Sequence, residues 1–443
     1  MNEETNFDGS VIVVKPTSFG SYEKLRNQFG QFHVAVNLSE DDTPKYSIST
    51  IKCISDIINP YEDLEGYLQS AHQPHIRFII SNTTEKGISC GQLQDIRPDS
   101  TPEGFPEKVT MWLYERFKWF KGDSDKGCVI IPLELVESNG LELKRCIIEC
   151  ATYWEFPTSF INWIINHNYF VNTLVDRIVP GFPHDHKEIV WSQIGWKDEM
   201  IACAEPYHYW VLDQKELIDS EIPFKETKLN VNLVDDVSIH RSIKVRILNG
   251  AHTAMIPFGI MAGLELVHEA MSLESINRFT RKLILEEVVP LINAPKDELL
   301  DFAYHVFERF ENIHIKHKLL DISLHSIFKF NVRLLPTIRE YLKKFDRLPS
   351  LTVAAFAGLV KLYCDQGGMQ EILIKDDHTK IRAFHQLYAS AKDTYVFSHE
   401  ILSDAELWGD NLNQIPGLTK QLARGLDDLN SMEIAEFLES VTA

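Results

Sequence analysis

Three residues that could handle a proton and a carbonyl oxygen open one long apolar segment of the chain. Asn249 follows Lys244 by five positions, and His252 follows Asn249 by three. At the α-helical rotation of about 100° per residue, Lys244, Asn249 and His252 fall at roughly 0°, 140° and 80°, within one broad arc. Lysine can serve as general acid or base, an asparagine amide can donate to a developing alkoxide, and histidine can orient either partner. The pattern therefore indicates an oxidoreductase site.

A structural interpretation of the same three residues stays open on spacing alone. Asn249 is of a type that caps helices, Lys244 fits a solvated surface, and His252 fits a hydrogen-bonded core position. The local pattern does not separate the two interpretations.

The segment from Lys244 to Gly259 resembles the Lys-x4-Asn-x2-His motif, and the residues after it, of the long-chain mannitol dehydrogenase family. Further stretches resemble the same family in the same order, at residues 80–87, 131–140, 172–181, 204–211 and 335–341. The resemblance covers most of the chain. It implies an NAD-dependent oxidoreductase, with NADP not excluded as cofactor, whose chemistry needs no metal.

Within that family the resemblance implies a sugar-acid substrate, with D-tagaturonate reduced to D-altronate. Lys244 would protonate the nascent alkoxide, Asn249 would polarise the carbonyl, and His252 would position Lys244 or a substrate hydroxyl. Where polyol-oxidising relatives carry Asp-Asn this chain has Glu134-Leu135, and Arg241 stands where some of them have a proton-relaying glutamate. Fructuronate or mannitol oxidation, and a cofactor-deficient sugar-acid binder, are the alternatives.

Two segments are candidates for contact with the nicotinamide cofactor. Asn82, Thr83, Thr84 and Glu85 follow a predicted strand, and ligands of such sheets bind beyond the carboxyl ends of strands. A capped helix start is the structural alternative.

Thr17 and Ser18 follow the first predicted strand, where an acidic residue commonly binds the adenosine ribose. Ser18 stands where family members often have Asp, so the choice between NAD and NADP stays open. A simple turn over residues 16–20 is an equal alternative.

The resemblance also assigns two residues to the substrate. Asp176 lies in an apolar run, and a buried carboxylate needs a cation or a hydrogen-bond donor nearby. Its neighbour Arg177 would face the opposite side of a strand, so each is expected to have a different partner. Lys329 matches a family lysine near the substrate, and its cation would suit a carboxylate; a solvated helix lysine is the alternative.

Composition excludes several classes of function. A net charge of −20 argues against nucleic-acid binding, and no apolar run reaches the about 18 residues of a membrane span. The acidic amino terminus predicts no signal peptide. The pairs His184/His186 and His314/His317 lack a third ligand at suitable spacing, so no metal site is predicted. A monomer or small homo-oligomer is expected.

Cysteine usage predicts a cytoplasmic protein. The seven cysteines include no Cys-x2-Cys pair and do not form the pattern of a disulfide framework. Cys146 and Cys150 lie one helical turn apart in an amphipathic run, where they are predicted to be buried thiols.

The hydrophobic pattern divides the chain into an α/β Rossmann-like domain over residues 1–236 and an all-α domain over 237–443. Short Val- and Ile-rich runs alternate with amphipathic ones in the first part, which predicts a parallel sheet. The predicted strands are 11–15, 34–38, 76–81, 129–133, 172–179 and 204–212, and the predicted helices are 106–121, 141–154, 252–272, 276–292, 296–311, 351–363, 379–391 and one or two over 414–443. A kink or frayed start is expected near Pro257 and Gly259.

The glycine-rich turn of a dinucleotide-binding domain is missing from this pattern. Such a domain normally opens with a strand and Gly-x-Gly-x-x-Gly, whose amides meet the pyrophosphate. The chain contains no Gly-x-Gly, and the family carries that turn ahead of a segment resembling residues 7–16. The first βα unit is therefore expected to be absent, with a truncated start favoured over a real loss of cofactor binding.

Overall fold

The computed structural model describes residues 1–38, 44–84, 87–88, 100–366, 374 and 376–443. Contacts divide it into two compact units, Met1–His240 and Arg241–Ala443. The first unit combines strands and helices, and the described part of the second is helical, so the predicted class of an α/β domain plus an all-α domain is confirmed.

The first unit contains short strands and helices in alternation. Its strands are β1 (Val11–Val14), β2 (Phe32–Asn37), β3 (Tyr46–Ile51), β4 (Ile54–Ile58), β5 (Phe78–Ser81), β6 (Val129–Pro132), β7 (Tyr169–Phe170), β8 (Thr173–Asp176), β9 (Ala202–Ala204), β10 (Tyr209–Leu212) and β11 (Val231–Leu233). Its helices are α1 (Glu23–Asn27), α2 (Leu64–Ser70), α3 (Phe105–Trp119), α4 (Asn139–Tyr153), α5 (Thr158–His167), α6 (Lys187–Ile194) and α7 (Lys215–Glu221), and the division between the units falls within α8 (Ser238–Ile243).

The described strands form small sheets of mixed direction. Strands β5, β6 and β7 are parallel, as are β1 with β4, β2 with β9, and β10 with β11. The prediction of a parallel sheet is wrong for two pairs, because β2 with β3 and β8 with β10 are antiparallel. Strands β2 and β3 are joined by a connection too short for the helical crossover that parallel strands need.

The central strand β6 carries the core of the first unit. All four of its residues are buried, and three of them are β-branched, as expected in a sheet covered on both faces. One face packs on side chains of α2, α3, α4 and α5, among them Trp112, Leu143 and Phe160. The opposite face packs near Ile218 and Phe224. This packing fixes the carboxyl ends of β5 and β6 at one edge.

A buried arginine ties the loops around this core together. Arg116 is 1% exposed, and its guanidinium donates to the carbonyl oxygens of Ala71, Gln73, Ile76 and Lys126 at 2.7 to 2.9 Å. A buried cation is tolerated where its donors are all directed at acceptors. Here the carbonyls come from the loops that precede β5 and β6.

The second unit is a bundle of helices. They are α9 (Gly250–Met261), α10 (Val267–Ser272), α11 (Glu274–Lys282), α12 (Lys296–Glu311), α13 (Leu319–Ile322), α14 (Ser326–Arg333), α15 (Leu335–Phe345), α16 (Ser350–Asp365), α17 (His378–Ser390), α18 (Thr394–Ser403), α19 (Ala405–Trp408), α20 (Leu418–Ser431) and α21 (Ile434–Thr442). Two π-helical segments, π1 (Lys244–Asn249) and π2 (Leu283–Val288), adjoin α9 and α11. Single 3-10 turns lie at Val289–Leu291 and Leu412–Gln414 in this unit, and at Ser124–Lys126 and Phe224–Glu226 in the first unit.

Helix α16 forms the centre of this bundle and is buried along almost its whole length. It packs against α9, α17 and α20. A Cβ on Gly358 would come within 2.6 Å of the Phe258 ring, and a Cβ on Gly425 within 2.8 Å of the Ala357 methyl group. Glycine at these two positions therefore lets the neighbouring helices approach α16 closely.

Several predicted elements differ from the observed ones for local reasons. The predicted strand 204–212 is two strands, β9 and β10, with Pro206 in the segment between them. The predicted helix 252–272 ends at Met261, where Gly263 adopts a φ of +76° that terminates α9, and α10 follows. The frayed start expected near Pro257 is also wrong, because helical structure is continuous from Ser238 to Met261.

The cysteines correct one sequence-based expectation. Cys150 is a buried free thiol as predicted, whereas Cys146 is disulfide-bonded. Burial raises the pKa of the Cys150 thiol to about 12. Among the described residues, no helix is both long and apolar enough to cross a bilayer.

Candidate active site

The π-helical segment π1 begins at Lys244 and ends at Asn249, two of the three predicted catalytic residues. A π turn is closed by hydrogen bonds between residues i and i+5, so it is wider than an α-helical turn, and residues five apart differ less in direction. An α-helix would separate them by about 140°. The prediction of regular α-helix here is therefore wrong, and the wider turn reduces the angle between positions 244 and 249.

His252 lies in the first turn of α9, enclosed by aromatic rings. It is 4% exposed, it stacks on Phe310 with ring centroids 4.1 Å apart, and the His317 ring meets it edge-on at 5.1 Å. Burial, and then electrostatic interactions with His317, Arg333, Arg309 and Lys329, hold the pKa of His252 well below its ordinary value of 6.5. The imidazole is therefore neutral at neutral pH.

Nδ1 of His317 has no hydrogen-bond partner among the described residues, and two further buried nitrogen atoms beside it share this property. They are Nδ2 of Asn249 and Nε2 of His252, and both side chains are less than a tenth exposed. Buried polar atoms are nearly always paired with protein or with ordered solvent. An amide donor and an imidazole nitrogen that meet no hydrogen-bonding group in the described part of the chain are therefore suited to a ligand.

Cationic side chains from neighbouring helices surround the same histidine. Arg333 at the end of α14 is 8% exposed, and its Nη1 donates to Oγ1 of Thr253 at 3.2 Å. Lys329, one turn earlier, is partly buried and donates to the carbonyl of Ile322 at 2.6 Å. The predicted substrate residue Lys329 therefore does belong to the environment of His252.

The carboxyl ends of β5 and β6 meet at one edge in the first unit. Ser81 pairs with Pro132 in parallel register, so the segments that follow both strands leave the sheet together. Glu134, 3% exposed, accepts hydrogen bonds from Oγ of Ser81 at 3.0 Å and from N and Oγ1 of Thr83 at 2.8 Å. Its carboxylate thus holds the segment after β5 in place.

The predicted cofactor residues occupy different environments. Asn82 and Thr84 are exposed at the edge beside β5, and Thr83 is bound to Glu134. Glu85 lies outside the described residues. Thr17 and Ser18 are exposed in a turn after β1, where Oγ of Ser18 lies 3.5 Å from Oε2 of Glu103.

Asp176 is the last residue of β8 and is 7% exposed. Its neighbour Arg177 donates to the carbonyl of Glu205 at 2.9 and 3.1 Å, which agrees with the expectation that Arg177 has a separate partner. Within the first unit, Asp176 and the segment after β5 belong to different small sheets.

A polar network that the sequence did not predict joins these strand ends. Asn139 donates from Nδ2 to the carbonyls of Pro132 and Glu134 and accepts from N of Thr173 at 2.8 Å. Oδ1 of Asn172 accepts from the first amides of α4, while Asp213 accepts from N and Nδ2 of Asn172 at 2.9 and 2.8 Å. The only feature of the sequence that could have indicated this network is the presence of Asn and Asp residues at the ends of strands.

No cluster of three His, Cys, Asp or Glu side chains able to hold a metal occurs within the described part of the chain. His186 is hydrogen-bonded to the Tyr46 hydroxyl at 2.6 Å, His184 packs edge-on against the Phe182 ring, and His317 faces His252.

Two family models match almost the whole chain. The mannitol dehydrogenase Rossmann domain matches residues 1–226, and the mannitol dehydrogenase C-terminal domain matches residues 236–430. Among curated relatives, an altronate oxidoreductase of Bacillus subtilis is 37% identical over 99% of this chain and 90% of its own length. Another, from Pectobacterium atrosepticum, is 36% identical over 97% of this chain and 90% of its own length.

Solved structures agree with the fold. The chain superimposes on mannitol 2-dehydrogenase of Pseudomonas fluorescens, solved with NAD and D-mannitol, with a TM-score of 0.77 at 21% identity, covering 99% of this chain and 89% of that one. A D-sorbitol dehydrogenase in substrate-free form gives a TM-score of 0.79 at 19% identity, covering 97% and 89%.

Proposed function

The chain belongs to the mannitol dehydrogenase family, and we propose that it interconverts D-tagaturonate and D-altronate by hydride transfer with a nicotinamide cofactor. The names of its altronate oxidoreductase relatives support the substrate class. The single observation that supports the proposal is that Lys244 and Asn249 begin and end one π-helical segment, next to an imidazole nitrogen of His252 that has no hydrogen-bond partner among the described residues.

Lys244 is the proposed general acid in the direction of reduction. As a hydride adds to the carbonyl carbon of tagaturonate, the carbonyl π electrons move to oxygen, and the Lys244 ammonium gives that oxygen a proton. In the reverse direction the neutral amine takes the hydroxyl proton of altronate. A positioned acid or base of this kind contributes about 10²- to 10⁴-fold in rate.

Asn249 and His252 take supporting roles in the proposal. Nδ2 of Asn249 donates to the carbonyl oxygen, where negative charge develops. The neutral imidazole of His252 contacts a substrate hydroxyl through Nε2, or orients Lys244. Because its pKa is lowered, His252 does not compete with Lys244 as the acid at neutral pH.

The nicotinamide end of a cofactor fits the edge formed by β5 and β6. The exposed side chains of Asn82 and Thr84 can hydrogen-bond to it, and the Ile80 side chain, 56% exposed, offers an apolar surface for a ring. The bound cofactor supplies or accepts the hydride. The roles of Thr17, Ser18, Asp176 and Lys329, and the choice of NAD over NADP, stay predictions, as do a cytoplasmic location and a monomer or small oligomer.

A substrate panel tests the proposed reaction. With NADH in excess, we expect tagaturonate to be reduced with a kcat/KM at least about 100-fold above that for fructose, the difference that a bound carboxylate provides. Fructuronate should give an intermediate value. Comparable rates for fructose and tagaturonate would indicate a polyol dehydrogenase, and no saturable NADH binding would indicate the sugar-acid binder.

A further inference from the structure

A buried arginine lies against the residues proposed for catalysis. The Arg333 guanidinium donates to Oγ1 of Thr253 and lies 3.5 Å from the carbonyl oxygen of Asn249, and Oγ1 of Thr253 itself donates to that carbonyl at 2.9 Å. These contacts hold the guanidinium beside the junction of π1 and α9. It therefore adjoins both Asn249 and His252.

Positive charge is concentrated around this junction. Arg333 and Arg309 are 8% and 9% exposed. Together with Lys329 they lower the pKa of the His252 imidazole. The charge of the exposed Asp321 has the opposite effect on the neighbouring His317, because it raises the pKa of that imidazole. A concentration of buried cations beside unpartnered donor and acceptor atoms suits an anionic ligand that also carries hydroxyl groups.

Arg246 is a second buried arginine, and it lies in π1 itself. It is 9% exposed in π1, and its Nη1 donates to a carboxylate oxygen of Glu340 at 2.7 Å, while Nη2 reaches Oγ1 of Thr337 at 3.3 Å. Its charge is thus met by a protein carboxylate. Arg246 provides a matched control for Arg333.

We propose that Arg333 binds the carboxylate of the sugar-acid substrate and so sets the preference for acids over neutral ketoses. This inference rests on the proposed function. The planar guanidinium can meet a carboxylate with two parallel hydrogen bonds, which an ammonium cannot do. Arg333 is therefore a specificity-determining residue beside the proton-handling group.

The test compares tagaturonate with D-tagatose, which carries a CH2OH group in place of the carboxylate. For Arg333→Gln we expect kcat/KM for tagaturonate to fall about 100-fold, as for loss of a charged hydrogen-bonded pair, with the value for tagatose within about threefold of wild type. Arg333→Lys should recover part of the loss. Where tagatose turns over too slowly, its inhibition constant against tagaturonate supplies the comparison.

The control variant Arg246→Gln should leave the ratio between the two substrates unchanged. An equal loss for both substrates in Arg333→Gln would show that Arg333 only braces the helix junction, and the inference would be overturned. A ratio of kcat/KM for tagaturonate to kcat/KM for tagatose that stays at the wild-type value would also overturn the inference. If Arg333→Gln does not fold, Arg333→Lys is used in its place. A rise in KM of about tenfold for tagaturonate alone would support the inference, and an equal change in KM for tagaturonate and tagatose would refute it.

Failure of the proposed function gives a different result. A wild-type enzyme that reduces no sugar acid contradicts the reaction before any Arg333 variant is made. A wild-type enzyme that prefers tagaturonate, with that preference intact in Arg333→Gln, contradicts only the inference about Arg333.

Discussion

At the scale of single residues, the proposal depends on one proton-handling group. Replacing Lys244 with Ala should lower kcat for tagaturonate by about 10³-fold, because the developing alkoxide loses its acid. NADH affinity, measured by fluorescence titration, should stay within about twofold. Lys343→Ala, at an exposed position, is the control and should keep full turnover. Retained activity in Lys244→Ala would remove this residue from the mechanism.

The buried histidine predicts a pH dependence of stability. The pKa values of His252 and His317 are lowered in the folded protein, mainly by burial. Below about pH 6.5 the unfolded chain then binds more protons than the folded one, so the free energy of unfolding decreases as pH falls through this value. Above about pH 6.5, the contribution of these histidines to the free energy of unfolding is fully retained.

Urea unfolding between pH 7 and pH 5 measures this dependence. His252→Gln removes one of the histidines whose pKa is lowered, so the unfolding free energy of this variant should fall less steeply with decreasing pH than that of wild type. His305→Gln, at an exposed position, should follow the wild-type curve. Parallel curves for wild type and His252→Gln would contradict the buried, neutral imidazole.

At the scale of elements, Glu134 connects the ends of β5 and β6. Glu134→Gln converts one acceptor oxygen to a donor and should release Thr83, since its amide and hydroxyl both bind the carboxylate. We expect KM for NADH to rise about tenfold with a smaller effect on KM for tagaturonate. Glu137→Gln is a suitable control on the following segment. Equal changes in both KM values would argue against a role in placing the nicotinamide.

Helix α16 begins at a carboxylate supplied by another element. Glu287 in π2 is 4% exposed and accepts from N of Leu351, N of Thr352 and Oγ1 of Thr352 at 2.7 to 2.9 Å. Glu287→Ala leaves these donors buried without a partner and should cost about 2 to 4 kcal/mol in the free energy of unfolding.

The adjacent Glu286 gives the control for that prediction. It is exposed, so Glu286→Ala should change the free energy of unfolding by no more than about 0.5 kcal/mol. Chemical denaturation of both variants checks the difference. Equal stability of the two would show that the amino terminus of α16 does not depend on Glu287.

Sequence patterns predicted where the helices and strands lie better than they predicted the geometry that connects these elements. The boundaries predicted for α12 agree with the observed Lys296–Glu311, because apolar residues recur at helical spacing and Asp297 and Glu298 suit the first turn. The π turn at Lys244 gave no such sign, because one extra residue in a turn leaves the local composition unchanged. Glu134 could not be linked to Thr83, since that contact depends on strand pairing across 51 positions.

At the scale of the whole molecule, the order of elements predicted an α/β unit followed by a helical one, and the structure confirms this class. The direction of individual strands was less predictable. Alternating apolar runs do not distinguish a crossover from a hairpin, and β2 with β3 form the latter. The sequence singled out Lys244, Asn249, His252 and Lys329. Arg309 in α12 and Arg333 in α14 were not predicted, because their position near His252 depends on the packing of the bundle.

Transfer of an isotopic label tests the central claim most directly. The protein is incubated with tagaturonate and NADH that carries deuterium at the transferred position, and the product is analysed by NMR. The proposed reaction predicts altronate with one deuterium on the carbon that was the carbonyl, in proportion to the NADH consumed. Consumption of NADH without labelled altronate, or no consumption with saturating tagaturonate, would contradict the assignment.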